Sequence, residues 1–271
     1  MALAPPTSLP ALFRLPPELR QQIYAHLLPR EPISHPLPGT GITSITHPLP
    51  TAALLTIHPL LTTDLLAHFY TTTTFKLTPP HAFNFFRTDP DLRRLAQSPL
   101  LPHIRNLEIT FFTDILLLPH THSPAFNLTH FCREIRLAAA RVCDVLARAH
   151  RLRRVTVSWI DTTLTGGWGE KATTLQPLRQ LAEEREVAFR IGEINGPEGE
   201  DRAAFIAAIE GVLGEGGKLD SAVEGAAADG GAGPSELRLL AFDVRQDREV
   251  AREVARMRSR GGQGEARIRG F

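Results

Sequence analysis

The sequence predicts an α/β protein in which helices pack against a mostly parallel sheet. Strand-like and helix-like segments alternate from residue 90 onwards, and such alternation builds parallel strands joined by crossover helices. Three strand-like segments also carry a similar apolar phrase, "IRNLEI" at 104–109, "LRRVTV" at 152–157 and "LRLLAF" at 237–242. A phrase that recurs between helices is typical of a sheet built from similar units.

The N-terminal region is predicted to be helical, after a disordered proline-rich stretch at residues 1–11. Adjacent prolines pre-set the backbone for a helix over 16–28. A proline in the first turn lacks an amide hydrogen, but the helix does not use that hydrogen for its own hydrogen bonds. Leu19, Ile23 and Leu27 recur every four residues in this helix, with other large apolar residues beside them. The apolar arc is wide enough for two contacts, one with the core and one with a partner, and part of the stripe is expected to pack inward.

A second helix is predicted to begin at Pro59, with a buried stripe of Leu61, Leu65, Leu66 and Phe69. Between the two helices, residues 29–50 contain six prolines. This composition predicts a long irregular loop with a short extended piece at "ITSIT". Residues 71–77 are rich in β-branched side chains and favour a strand-like exit.

The remaining elements follow from apolar periodicity, at three- and four-residue steps in helices and at alternate positions in strands. The predicted strands are 104–112, 152–161, 186–194 and 237–244, and the predicted helices are 127–150, 174–185 and 201–213. Seven glycines predict a disordered linker at 214–234, and 235–271 hold the last strand and a charged helix or tail. These uneven units favour an irregular arc similar to a leucine-rich-repeat protein, with a compact sheet as the alternative.

Composition excludes several classes of function. The net charge is +1 over 271 residues, so no global field favours nucleic acid or an anionic membrane. We find no signal-peptide pattern at the N-terminus and no apolar run near the ~20 residues that span a bilayer. Cys132 and Cys143 fall in one predicted helix about 16 Å apart, too far for a disulfide. We therefore predict an intracellular protein, cytoplasmic or nuclear.

No motif predicts chemistry. The segment "TGGWGEKATT" at 165–174 sits like a phosphate-binding loop, but Glu170 replaces the glycine before Lys171, so we predict a flexible connection. His120, His122, His130 and Cys132 are the densest group of possible metal ligands, yet a second ligand pair is missing. We predict no catalytic residue, cofactor or metal. An enzyme whose residues meet only in space is the remote alternative.

The opening segment resembles a known family. The phrase Leu15-Pro16-x-Glu18, followed by Ile23 and Leu27, is similar to the first helix of an F-box. More closely, "LFRLPPELRQQIYAHLL" at 12–28 resembles the fungal F-box-like family of largely uncharacterised proteins. Further matches to that family are Ala53-Leu54-Leu55, Phe69-Tyr70, Phe75 and the strand phrase "LPHIRNLEI".

The resemblance implies a non-enzymatic substrate receptor of an SCF-type ubiquitin ligase. Its helical module, residues 12–77 with the proline-rich loop at 29–50, is expected to grip the adaptor subunit, and the α/β repeat-like region at 78–213 to capture a protein substrate. The residues implied to face the adaptor are Leu15, Pro16, Glu18, Leu19, Ile23 and Leu27.

Two departures keep an alternative open. About 20 proline-rich residues separate the two helices where an F-box has a short connection, and the family's "L-L-x-x-C-R" phrase appears here as Leu54-Leu55-Thr56-Ile57-His58. The alternative is an intracellular interaction scaffold in which the F-box-like helices are only structural.

Overall fold

A six-stranded sheet organises the described part of the chain. In the computed structural model, this part comprises residues 11–31, 35–37, 39–79, 92–113, 128–162 and 166–214. The strands are β1 (His35–Pro36), β2 (Ser44–Ile45), β3 (Thr74–Leu77), β4 (Asn106–Thr113), β5 (Arg154–Asp161) and β6 (Ala188–Asn195). β1, β2 and β3 pair antiparallel, whereas β3, β4, β5 and β6 pair parallel. The predicted α/β class with a mostly parallel sheet is confirmed.

Eight α-helices accompany the described strands. They are α1 (Pro17–Leu27), α2 (Ala52–Thr56), α3 (Pro59–Thr72), α4 (Arg93–Gln97), α5 (Leu128–Leu146), α6 (Trp168–Thr173), α7 (Arg179–Arg185) and α8 (Gly199–Gly214). Short 3-10 helices precede α1, β4 and α7, at Ala11–Arg14, Leu101–His103 and Gln176–Leu178. Each crossover between parallel strands from β3 to β6 contains at least one α-helix. The sequence predicts the crossover helices α5 and α7, whereas it does not predict α4, between β3 and β4.

The strands lie side by side in sequence order, from β1 to β6. Matching residues of the two described copies of the apolar phrase stand next to each other, since Leu107 pairs with Val155. Val155 pairs in turn with Phe189 of β6. A doubly wound sheet instead reverses its strand order at a switch point, and these six strands contain no such reversal.

The hydrophobic core lies on one face of the sheet, which we call the covered face. In β4 every second side chain is buried, from Leu107 to Thr113, and the matching residues of β5 are buried as well. Ring contacts place helices on this face: Phe69 of α3 lies 6.2 Å from Phe75, and Phe205 of α8 lies 5.3 Å from Trp159. One continuous core therefore joins the N-terminal helices to the later α/β units.

The opposite face carries mostly half-exposed side chains, and we call it the open face. At its centre the Ser158 hydroxyl donates a 2.9 Å hydrogen bond to Oε1 of Glu108, whose Oε2 lies 3.7 Å from Nζ of Lys76. These contacts link three neighbouring parallel strands through polar groups.

Two sequence predictions need correction. Residues 29–50 are not wholly irregular, because β1 and β2 add an antiparallel pair to the sheet edge, with β2 inside the predicted extended piece. The prediction of a flexible connection at 165–174 is wrong, since α6 begins at Trp168. Its indole donates a 2.9 Å hydrogen bond to Oδ1 of Asp201 in α8, which ties the segment to a neighbouring helix.

The predicted strands and helices between residues 104 and 213 are otherwise confirmed, with ends displaced by a few residues. In the predicted helix at 174–185, a 3-10 turn at Gln176–Leu178 precedes α7. The predicted disordered N-terminus through residue 10, and the linker, last strand and tail beyond residue 214, lie outside the described residues.

Candidate partner-binding site

Helix α1 begins as its prolines predict. Pro16 is the N-cap residue with an extended backbone (φ −52°, ψ 149°), and Pro17 occupies the first helical position. Glu18 lies in the first turn, where a carboxylate interacts favourably with the positive end of the helix dipole. The proline pair therefore holds the chain in one direction as it enters the helix.

The fold buries the stripe formed by Arg20, Tyr24 and Leu28. Tyr24 and Leu28 are almost inaccessible to solvent, and Arg20 is half-buried. The Tyr24 hydroxyl donates a 2.9 Å hydrogen bond to Oδ2 of Asp64 in α3, and Nε of Arg20 lies 3.3 Å from the same oxygen. A single carboxylate thus anchors α1 to α3.

Ring contacts extend this anchor. The Arg20 guanidinium carbon lies 5.2 Å from the centre of the Phe13 ring, within range of a cation–π interaction. The Phe13 ring lies 6.1 Å from His58, which caps the start of α3, and Tyr24 lies 5.8 Å from His68. The opening segment is therefore held against α3 at several points.

Burial also changes the titration of this anchor. Loss of solvent around the phenol raises the pKa of Tyr24 to about 12, and its hydrogen bond to Asp64 and the negative charge there add to the rise. Loss of solvent lowers the pKa of His68, although the Asp64 charge opposes that change. Both groups are consequently neutral when α1 is docked at neutral pH.

The stripe next to the anchor faces solvent. Leu15, Leu19, Ile23 and Leu27 are 37%, 44%, 37% and 43% exposed, and we call these four residues the exposed stripe. The expectation that part of the Leu19–Ile23–Leu27 stripe packs inward is wrong. Asp64 pairs with Arg20 and Tyr24, which follow Leu19 and Ile23 by one position, so the stripe residues turn outward.

The structure leaves all six predicted partner-binding residues accessible, since Pro16 and Glu18 are exposed like the four stripe residues. Two further large apolar side chains are exposed near the start of α3, Ile57 at 64% and Leu60 at 45%. That these residues bind a partner remains a prediction.

A buried ion pair is the feature that sequence reasoning missed. Nζ of Lys171 contacts Oδ2 of Asp161, and both side chains are completely buried. The ammonium also lies 4.4 Å from the centre of the Trp168 ring. The one signal in the sequence was the rarity of lysine, which occurs at only three positions. Neither group is open to a substrate, so the pair is structural.

The cysteines are free and buried, as predicted. Burial raises the pKa of Cys143 to about 11, with help from Asp144 and Glu184, so its thiol stays protonated and unreactive at neutral pH. Within the described residues, no three His, Cys, Asp or Glu side chains are placed to hold a metal ion; His120 and His122 lie outside that part.

The described helices are all too short or too polar to cross a membrane. Comparison with known proteins assigns no relative, because no family model, no curated protein and no solved structure matches the chain.

Proposed function

We propose that this chain is a non-enzymatic protein-interaction protein, in which α1 docks on the adaptor subunit of an SCF-type ubiquitin ligase and the α/β region captures a protein substrate. The observation that carries the proposal is the exposed stripe. Three large apolar side chains in one row on α1, continued by Leu15 just before the helix, are what a helix-in-groove interface requires.

The anchor and the exposed stripe divide the work of α1. Arg20 and Tyr24 hold the helix to Asp64, so α1 needs no partner to stay in place. A helix that is already positioned loses little conformational entropy on binding. Full burial of one leucine or isoleucine contributes about 1.5–3 kcal/mol, so even the remaining exposed fraction of four such residues can drive association.

The sheet supports the second half of the proposal. In the described part of the chain, α3 and α8 pack on the covered face of consecutive parallel strands, and the open face is the surface that we propose contacts the substrate. This arrangement is similar to a leucine-rich-repeat arc, and the F-box-like module and the arc are part of the same proposal.

The test introduces negative charge into the exposed stripe and leaves the contacts of Arg20 and Tyr24 with Asp64 intact. We expect Leu19→Glu with Ile23→Glu to lower affinity for the purified adaptor by at least about 30-fold, because removal of central apolar contacts typically costs 2 kcal/mol or more. Gln21→Glu with Gln22→Glu is the matched control, since both residues are exposed on the same helix, and it adds the same two charges at polar positions.

Binding is measured by titration and folding by thermal melts of the same preparations. Equal adaptor affinity for the two double variants contradicts the proposed docking face. If the wild-type chain binds no adaptor at all, ligase docking is wrong, and the interaction scaffold becomes the better explanation of the exposed stripe.

A further inference from the structure

Three arginines line a cleft at the amino ends of β4 and β5. Arg105 immediately precedes β4, Arg151 and Arg153 precede β5, and the space between them has a volume of about 320 Å³. Buried neighbours direct these side chains outward, because Ile104 and Leu152 insert into the core beside them. The chain therefore brings cationic groups from two separate loops to one place.

Backbone hydrogen bonds fix the main chain of the residues that line the cleft. The carbonyl of Arg105 accepts hydrogen bonds from the amides of Arg153 and Arg154 at 2.9 and 3.0 Å. The carbonyl of Arg153 in turn accepts one from the Ala188 amide at 2.8 Å. Arg105 and Arg153 thus lie next to each other, each immediately before one of two adjacent strands, and such strands are spaced about 4.8 Å apart. The cleft is built on the rigid sheet and is already formed without a ligand.

In the described part of the chain, no carboxylate neutralises the three positive charges of this cleft. None of Arg105, Arg151 and Arg153 forms an ion pair there with a carboxylate. Like charges on directly neighbouring strand positions repel each other and destabilise the fold. An anion between the three guanidinium groups relieves that repulsion and gains charge-assisted hydrogen bonds.

We propose that this cleft binds a phosphate group carried on a peptide segment of a partner protein. A phosphorylated side chain carries a charge of about −1.5 to −2 and three acceptor oxygens. It can therefore accept hydrogen bonds from several planar guanidinium groups at once, more than a single carboxylate can. The proposal stands on the arginines and is independent of adaptor binding by α1.

The surroundings favour a peptide over nucleic acid. Single-stranded nucleic acid is usually bound along an extended basic groove with aromatic side chains for base stacking. The described lining of the cleft consists of arginines alone, and its volume suits one phosphate group with its neighbouring residues. A short peptide can place a single phosphate there without a long track.

The experiment uses the full chain and four probes at constant ionic strength. The first is a nine-residue Gly/Ser peptide with one central phosphoserine; the others are its unphosphorylated form, inorganic phosphate and a single-stranded ten-nucleotide DNA. We expect the phosphopeptide to bind at least about tenfold more tightly than its unphosphorylated form, because hydrogen bonds to a charged group are about twice as strong as neutral ones. It should also bind more tightly than inorganic phosphate or the DNA, which carry phosphate without a peptide.

Variants locate the binding site. Arg105→Gln and Arg151→Gln are each expected to reduce phosphopeptide affinity about tenfold. Arg141→Gln on α5, an exposed arginine outside the cleft lining, should leave it unchanged. A structural role is separated by thermal melts in phosphate-free buffer, where Arg105→Gln should melt no lower than wild type because it removes a repulsion.

Three results overturn the proposal. Equal binding of the phosphorylated and unphosphorylated peptides shows that phosphate is not recognised. Tighter binding of inorganic phosphate or of DNA shows that the ligand is not a peptide. Loss of affinity in Arg141→Gln equal to that in Arg105→Gln shows that the protein's overall arginine content, rather than this cleft, attracts the anion.

Discussion

Lys171 and Asp161 form an ion pair in which neither side chain reaches solvent. Asp161 is the last residue of β5, and Lys171 lies in α6, ten residues further along the chain. The Trp168 ring covers the ammonium. The pair therefore fastens α6 to the carboxyl end of the sheet, where it closes the core next to α8.

Lys171→Met should destabilise the protein by about 3–5 kcal/mol, because it leaves the Asp161 carboxylate buried without its cation. Chemical denaturation measures the loss. The double variant Lys171→Met with Asp161→Leu should recover a large part of it, since an apolar pair of similar volume needs no charge compensation. A single variant as stable as wild type would show that the pair does not hold α6.

Gly196→Ala should also be strongly destabilising. Gly196 has a φ of +111°, and a Cβ there would lie 1.7 Å from the carbonyl oxygen of Asp161. The backbone must shift to admit even a methyl group, so we expect a loss of at least about 2 kcal/mol in denaturant unfolding. Gly211→Ala is the control, because Gly211 lies in α8 with nothing within 4 Å, and it should gain roughly 0.5–1 kcal/mol.

Val142→Asp should unfold the α/β region, whereas Arg141→Asp should be tolerated. Val142 is fully buried in α5, and an unpaired carboxylate there costs several kcal/mol. Arg141 is exposed on the same helix, so its replacement should change stability by no more than about 0.5 kcal/mol. Circular dichroism melts compare the two variants, and equal melting temperatures would contradict the helix register.

We expect the protein to lose the stability that Tyr24 contributes as the pH rises above 10. Its pKa is about 12 in the folded state against 10.0 for an ordinary tyrosine, so the unfolded chain loses the proton first as pH rises. The contribution of Tyr24 to stability is therefore complete below pH 10 and is lost as the pH rises from 10 to about 12.

Tyrosinate absorbance checks this directly, because the chain has only two tyrosines and burial also raises the pKa of Tyr70. Tyr24→Phe should remove one titration step and flatten the decline in stability, at a cost near neutral pH of about 1 kcal/mol for the lost hydrogen bond. An ordinary midpoint near 10 for either step would contradict the buried geometry.

Local patterns in the sequence determined the class of fold and most of its elements. The alternation in β4 and the three- and four-residue steps in α5 follow from the geometry of a strand and a helix, so neighbours in sequence suffice to predict them. Paired prolines predicted the start of α1 for the same reason.

Tertiary contacts alone decided which side of α1 is free. Its apolar arc includes both Tyr24 and Ile23, and nothing local distinguishes the buried residue from the exposed one. The choice depends on Asp64, which lies 40 residues beyond Tyr24 and accepts its hydrogen bond. Likewise, the local sequence places Lys171 in a loop, and only the fold brings it to Asp161. Burying a charge requires a partner, and the assembled sheet supplies that partner.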